Sequence, residues 1–237
     1  MITRLLISLL LLSSSFASAA PLTDMETRWL TAGSAVLTYA KKDLKLPIDI
    51  IVQPTGKPTD VPLALGFQDG RCKLVLTMRN RTNAEDILST VPEAQRPLMI
   101  EAMVAHEIGH CWRYAQGVWH ELPAGFEESA GEAAHDHAQE LQETRREEGF
   151  ADLAALAWIQ HRHPEQYAAV ADWMRKVREP SSASAGASHT TMAWLQLAPT
   201  GAVFDAELPL FEQAGSVWRQ GLLATGEQSG AHRLAGR

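Results

Sequence analysis

Residues 97 to 115 read PLMIEAMVAHEIGHCWRYA, and two signals overlap there. Leu98, Ile100, Met103, Val104, Ile108 and Trp112 recur as the broad apolar stripe of a core-facing helix, and Gly117 supplies its stop. Inside that stripe lies His106-Glu107-Ile108-Gly109-His110. Residues four apart share one helix face, so both imidazoles can reach a single Zn2+ while Glu107 projects beside the metal-activated water as its base. Such a group is suited to peptide hydrolysis, in which the carboxylate takes the water's proton and hands it to the leaving amine.

A catalytic zinc takes three protein ligands and keeps one position open. A His-Glu-x-x-His-x-x-Gly-x-x-His extension is excluded, because positions 113 and 116 are Arg113 and Gln116. Farther along, inside an Ala-, Glu- and Leu-rich stretch, comes Glu148-Gly149-Phe150-Ala151-Asp152. Glu148 and Asp152 again share a face, so the first can coordinate zinc while the second accepts the N–H of a ligand histidine and fixes its tautomer. Glu147 lacks the four-residue spacing to Asp152, and His135 and His137 read as exposed residues of a polar helix.

HEIGH followed by EGFAD resembles the gluzincin metallopeptidases, in particular the branch with a Glu-x-x-Ala-Asp second motif that includes prenyl-protein endopeptidases and membrane heat-shock proteases. The resemblance covers residues 97 to 160. It implies a zincin-like α+β domain with His106, His110 and Glu148 as zinc ligands, Glu107 as base and Asp152 as the partner of a ligand histidine. It also implies an edge strand above the active helix that pairs with an extended substrate, for which Cys72 to Met78 is the candidate. The chain departs from that branch in lacking transmembrane helices, which points to a soluble version.

Several gluzincins use a late-chain His, Tyr or Arg to bind the oxyanion. His189 is the candidate here, or else Ser188 or His189 caps the following helix. Arg113 is an alternative donor, although an Arg there more commonly pairs with an acid. Trp112 and Trp119 are read as core residues, with lining a pocket as the alternative, and His161 and His163 as surface residues at a helix end. Peptide deformylases also carry the first motif, with an upstream Cys as third ligand. Cys72 would have to take that part, but its flanks GRCKL differ from that family's Gly-Cys-Leu-Ser type. A non-catalytic zincin-like binding module is the other reading.

The rest of the chain constrains the setting. The first residues, MITRLLISLLLLSSSFASAA, have one cation at Arg4, an apolar run from Leu5 to Leu12 and a small-residue exit, the layout of a secretory signal ending at Ala19. Residues 20 to 237 then form one domain, periplasmic or secreted, with no membrane anchor after cleavage. Among 237 residues, 21 Lys and Arg face 28 Asp and Glu, a net charge of −7, which argues against nucleic acid and leaves a peptide or protein as the expected partner. The two cysteines, Cys72 and Cys111, are expected to form one bridge in an oxidising compartment, tying a strand to the residue beside His110. Periodicity predicts helices over 24–43, 127–161, 164–177, 189–198 and 208–223, and strands over Ile48–Val52 and Cys72–Met78, with loops at 55–62 and 180–188.

Overall fold

The computed structural model describes residues 21–127, 136–179, 189–224 and 228–229. The proposed signal segment and the 180–188 loop lie outside them. The fold is α+β: a small three-stranded sheet covers one side of a helical body. Two helices, α1 (Asp24–Ala32) and α2 (Ser34–Lys42), replace the single helix expected over 24–43. The break falls at Gly33, where an added Cβ would lie 2.6 Å from a methyl of Val104, so a helix crossing beneath needs the missing side chain. Thr23 and Glu26 form a capping box at the start of α1.

Strand β1 (Ile48–Val52) is the β-branched run, and β3 (Arg71–Leu76) alternates exposed and buried positions. Between them the sequence reading missed β2 (Leu63–Gln68). Its hairpin to β3 turns at Asp69 and Gly70, with φ of 54° and 70°. Two successive left-handed residues of Asp-Gly type are the favoured two-residue hairpin connection, and that dipeptide was the available signal. The order is β1-β3-β2, with β1 parallel and β2 antiparallel to β3. The Cys72 strand is therefore central, and the expected edge position belongs to β2. The correction follows from hydrogen-bond pairing, since both sides of β3 are already occupied.

The sheet buries Leu63, Leu74 and Leu76 against α3 (Arg96–Ala115), whose Pro97 sits in the first turn and whose end is followed by Gly117 at φ 69°. A two-stranded pair, β4 (Phe126–Glu127) with β5 (Gln228–Ser229), was also unforeseen. Helix α4 is described over Asp136–Arg162; Glu127, the first residue of the expected helix, belongs to β4, and residues 128–135 lie outside the described residues. From Arg146 to Ile159 every position of α4 is buried, which makes it the central helix, enclosed by α3, α5 (Tyr167–Arg178), α6 (Met192–Leu195) and α7 (Leu210–Ala224). The helix expected over 189–198 shrinks to the four residues of α6. Trp194 holds it in place, wedged against Gly149 and Gly221 at points where an added Cβ would lie within 2.4 Å of the indole. No helix among the described residues is long and apolar enough to cross a membrane.

Two cross-links tie the outer elements down. Cys72 and Cys111 are joined as a disulfide between β3 and α3, with Cα atoms 5.7 Å apart. Arg79 donates from Nε and Nη2 to the buried Glu26, at 2.8 and 3.0 Å, and holds its carboxyl below the usual Glu range. The Cys72→Ala/Cys111→Ala double variant is expected to lose about 4 kcal/mol of stability by the loop-closure relation for a 39-residue separation, read from denaturant unfolding. Because the folded-state pKa of Glu26 is depressed, its contribution is complete above the unfolded pKa and is lost as pH falls through the folded one. Unfolding midpoints measured below about pH 4.3 should therefore drop more steeply for wild type than for Glu26→Gln.

Candidate metal centre

Side-chain volume decides how near α3 and α4 come. An added Cβ on Gly109 would lie 3.0 Å from the Ala154 methyl and 3.1 Å from the Ala151 Cα, so the helices cross at a Gly-on-Ala contact. That approach brings EGFAD beneath HEIGH. His106 Nε2 and His110 Nε2 are 3.0 Å apart, and each lies 3.4 Å from a Glu148 carboxylate oxygen. Donor atoms around a tetrahedral zinc with bonds near 2.0–2.1 Å are separated by about 3.3 Å, so the three fit one ion. All three residues are buried, and they are the only such group of His, Cys, Asp and Glu among the described residues.

The surrounding charges define what belongs at that point. His106 Nδ1 donates to Asp152 Oδ1 at 2.9 Å, and Nε2, which carries the lone pair when the ring is neutral, faces His110 and Glu148. Burial opposes a charge on His106, yet Asp152 and Glu148 outweigh it and push the imidazole up to about 10. Burial likewise opposes ionisation of Glu148, but His106 and His110 keep its carboxyl well below the ordinary range. The field at the ligand atoms thus favours positive charge, as a divalent cation would supply. A metal ion is a coherent occupant of His106, His110 and Glu148.

Asp152 is fully buried and meets more than the histidine. Arg178 grips it from both sides, Nε to Oδ2 at 2.9 Å and Nη2 to Oδ1 at 2.8 Å, and Thr191 Oγ1 donates to Oδ2 at 2.5 Å. Burial would raise its pKa, but Arg178 and His106 hold the carboxyl well below the usual range. Arg178 Nη2 also reaches Glu148 Oε2 at 3.3 Å. Neither Arg178 nor Thr191 was singled out in the sequence, where Arg178 fell one residue past the helix expected over 164–177. The overlooked signal is that Arg178 follows Met174 by four residues, on the apolar face of α5 with Val170 and Met174.

Glu107 lines a cleft of about 660 Å3 bounded by β2, α3 and α5. Burial raises its carboxyl above the usual range, in the direction a general base requires. His189 comes to the same cleft, with Nε2 3.6 Å from Glu148 Oε2, and burial pushes its pKa down. The N-cap of α6 is Thr191, not His189, and Ser188 lies outside the described residues. Glu147 turns away from the ligand atoms and pairs with Arg113 at 2.7 and 2.9 Å, so Arg113 is not free to act on a substrate. Trp112 stacks on Phe150 in the core, whereas Trp119 lines the cleft beside His110. His163 is not simply a surface residue, since it lies 3.1 Å from the buried Glu101. His135 is outside the described residues, as is the side chain of His137.

Comparison with protein families, curated proteins and solved structures gives no match. The site therefore rests on its own geometry. Asp152→Asn would remove the charge that orients His106, and metal affinity should fall about 10–100-fold in a chelator competition.

Proposed function

We propose that the chain is a zinc-dependent metallopeptidase with a zincin-like fold, of the gluzincin type that HEIGH and EGFAD resemble. The observation that carries this reading is the convergence of His106, His110 and Glu148 in one buried cluster at the floor of an open cleft. Two imidazoles and one carboxylate form a donor set typical of catalytic zinc, which supplies a Lewis acid and lowers the pKa of a water to near neutrality.

The chain's own residues do the rest. Glu107 takes the proton of the attacking water and returns it to the departing amine. His189 lines the same cleft with Nε2 3.6 Å from Glu148 Oε2, and it is the donor for the oxygen of the tetrahedral intermediate. Among the described residues β2 is an edge strand, and its outer side can take an extended peptide, a mode of binding that demands little of the substrate's sequence. Asp152, steadied by Arg178 and Thr191, keeps His106 in the tautomer that presents Nε2 to the metal. The disulfide and the signal-like first residues support action in the periplasm or outside the cell.

The test is a pair of variants on purified protein. Glu107→Gln should keep one zinc by elemental analysis yet lose turnover of casein by about a hundredfold or more. Glu148→Ala should lose the zinc itself, and wild-type cleavage should stop with a chelator. One zinc without cleavage in wild type would count for a binding module instead.

A further inference from the structure

Near one end of the cleft, aromatic rings form a stack. Phe67 of β2 stacks on Tyr114 of α3, with centroids 5.0 Å apart and planes 5° from parallel. Tyr114 stacks on Trp119 at 3.9 Å and 10°, and Trp119 is followed by His120 at 4.9 Å and 27°. Tyr114 is therefore stacked on two rings, Phe67 and Trp119, and Trp119 on two, Tyr114 and His120. Tyr114 and Trp119 also line the cleft, and rings stacked in this way present their edges to it. Trp119 also stands at 72° to the ligand His110, with ring centroids 5.5 Å apart. The wall thus runs from the edge strand to the metal centre.

Buried charges hold that wall in place. Arg113 Nη2 donates to the Glu121 carbonyl at 2.9 Å while gripping Glu147, and Glu147 Oε1 accepts the His120 backbone N–H at 2.8 Å. The Arg113 guanidinium lies 4.6 Å from the centre of the Trp218 ring, which fixes it from the other side. His120 adopts φ of 64°, a left-handed conformation that costs free energy outside glycine, and the bonds to Glu147 and Arg113 flank it. A buried ion pair and a strained residue together set the position of one exposed-side indole.

We infer that this wall is a selectivity subsite for an aromatic side chain of the peptide. Ring edges carry partial positive charge and ring faces partial negative charge, so a wall of edges is complementary to the face of an incoming phenyl ring. An aliphatic side chain gains burial there but lacks that term. The occupant is a Phe or Tyr of an extended peptide lying along β2, close enough to the metal centre to adjoin the cleaved bond. Arg113 and Glu147 act as positioning residues through Trp119. This rests on the metallopeptidase reading, and the experiment separates the two.

The measurement is equilibrium binding by calorimetry to the zinc-loaded Glu107→Gln protein, so that no turnover is needed. The probes are two blocked pentapeptides, Ala-Ala-Phe-Ala-Ala and Ala-Ala-Leu-Ala-Ala. Wild-type cleft residues should bind the Phe peptide about tenfold more tightly than the Leu peptide, the scale of an aromatic pair beyond its area. Trp119→Leu should bring the ratio near one, and Trp119→Phe should restore part of it. Tyr114→Leu is the second disruption if Trp119→Leu lowers zinc content or unfolding temperature. Equal binding of the two peptides, or a Phe preference that survives both disruptions, overturns the inference. A Phe preference in a protein that never cleaves either peptide in its Glu107 form would uphold the subsite and overturn the hydrolase reading.

Discussion

The close approach of α3 and α4 at Gly109 is the constraint on which the centre depends. With no side chain at 109 and only methyl groups at Ala151 and Ala154, two helix backbones come together where bulkier residues would hold them apart. The ligand atoms are 3.0–3.4 Å from one another because of that contact. A core of this density transmits even small displacements, so the spacing of His106, His110 and Glu148 is set by packing several ångströms from the donor atoms.

Around that crossing the buried charges are arranged in layers. Asp152 orients His106, Arg178 and Thr191 satisfy Asp152, and α6 brings Thr191 into place because Trp194 is seated between Gly149 and Gly221. Taking an ionised carboxylate out of water costs several kcal/mol unless hydrogen bonds replace the lost hydration, and here Asp152 has His106, Arg178 and Thr191 as partners. The same logic holds one residue earlier on α4, where Glu147 and Arg113 compensate each other and pin the segment bearing Trp119. Adjacent glutamates thus serve different ends: Glu148 joins the candidate metal cluster with His106 and His110, and Glu147 holds Arg113 and the His120 backbone. The helix forces that split, since consecutive residues point about 100° apart.

The sheet contributes less to the core than the helices and more to the approach. Its central strand is bonded to α3 through the Cys72–Cys111 disulfide, one residue beyond His110. Its edge strand β2 runs beside the cleft, and Phe67 carries the aromatic stack onto that edge. Reading β3 as the edge was a consequence of missing β2, whose LALGFQ has only weak alternation and a central glycine. The Asp69-Gly70 dipeptide marked the hairpin all the same, because few other residue pairs accept two left-handed conformations in succession.

What the sequence determined by itself is everything with a local period. His106 and His110 fall on one face of a helix whatever surrounds it, and Glu148 and Asp152 do the same, so each candidate pair was legible from spacing, while joining the two motifs into one cluster came from the family resemblance. The long helices and two of the strands were legible for the same reason, through apolar recurrence. Only the tertiary structure decided that Arg178 and Thr191 close around Asp152, that Gly33 splits the first helix, and that Tyr114 and Trp119 line the cleft as part of a ring stack. Apart from the local Tyr114–Trp119–His120 run, those relations join residues 26 to 71 apart, and contacts across such distances leave no period in the chain. They are set by which surfaces meet when the core closes, above all by the few positions where glycine lets two backbones, or a backbone and an indole, come within contact distance.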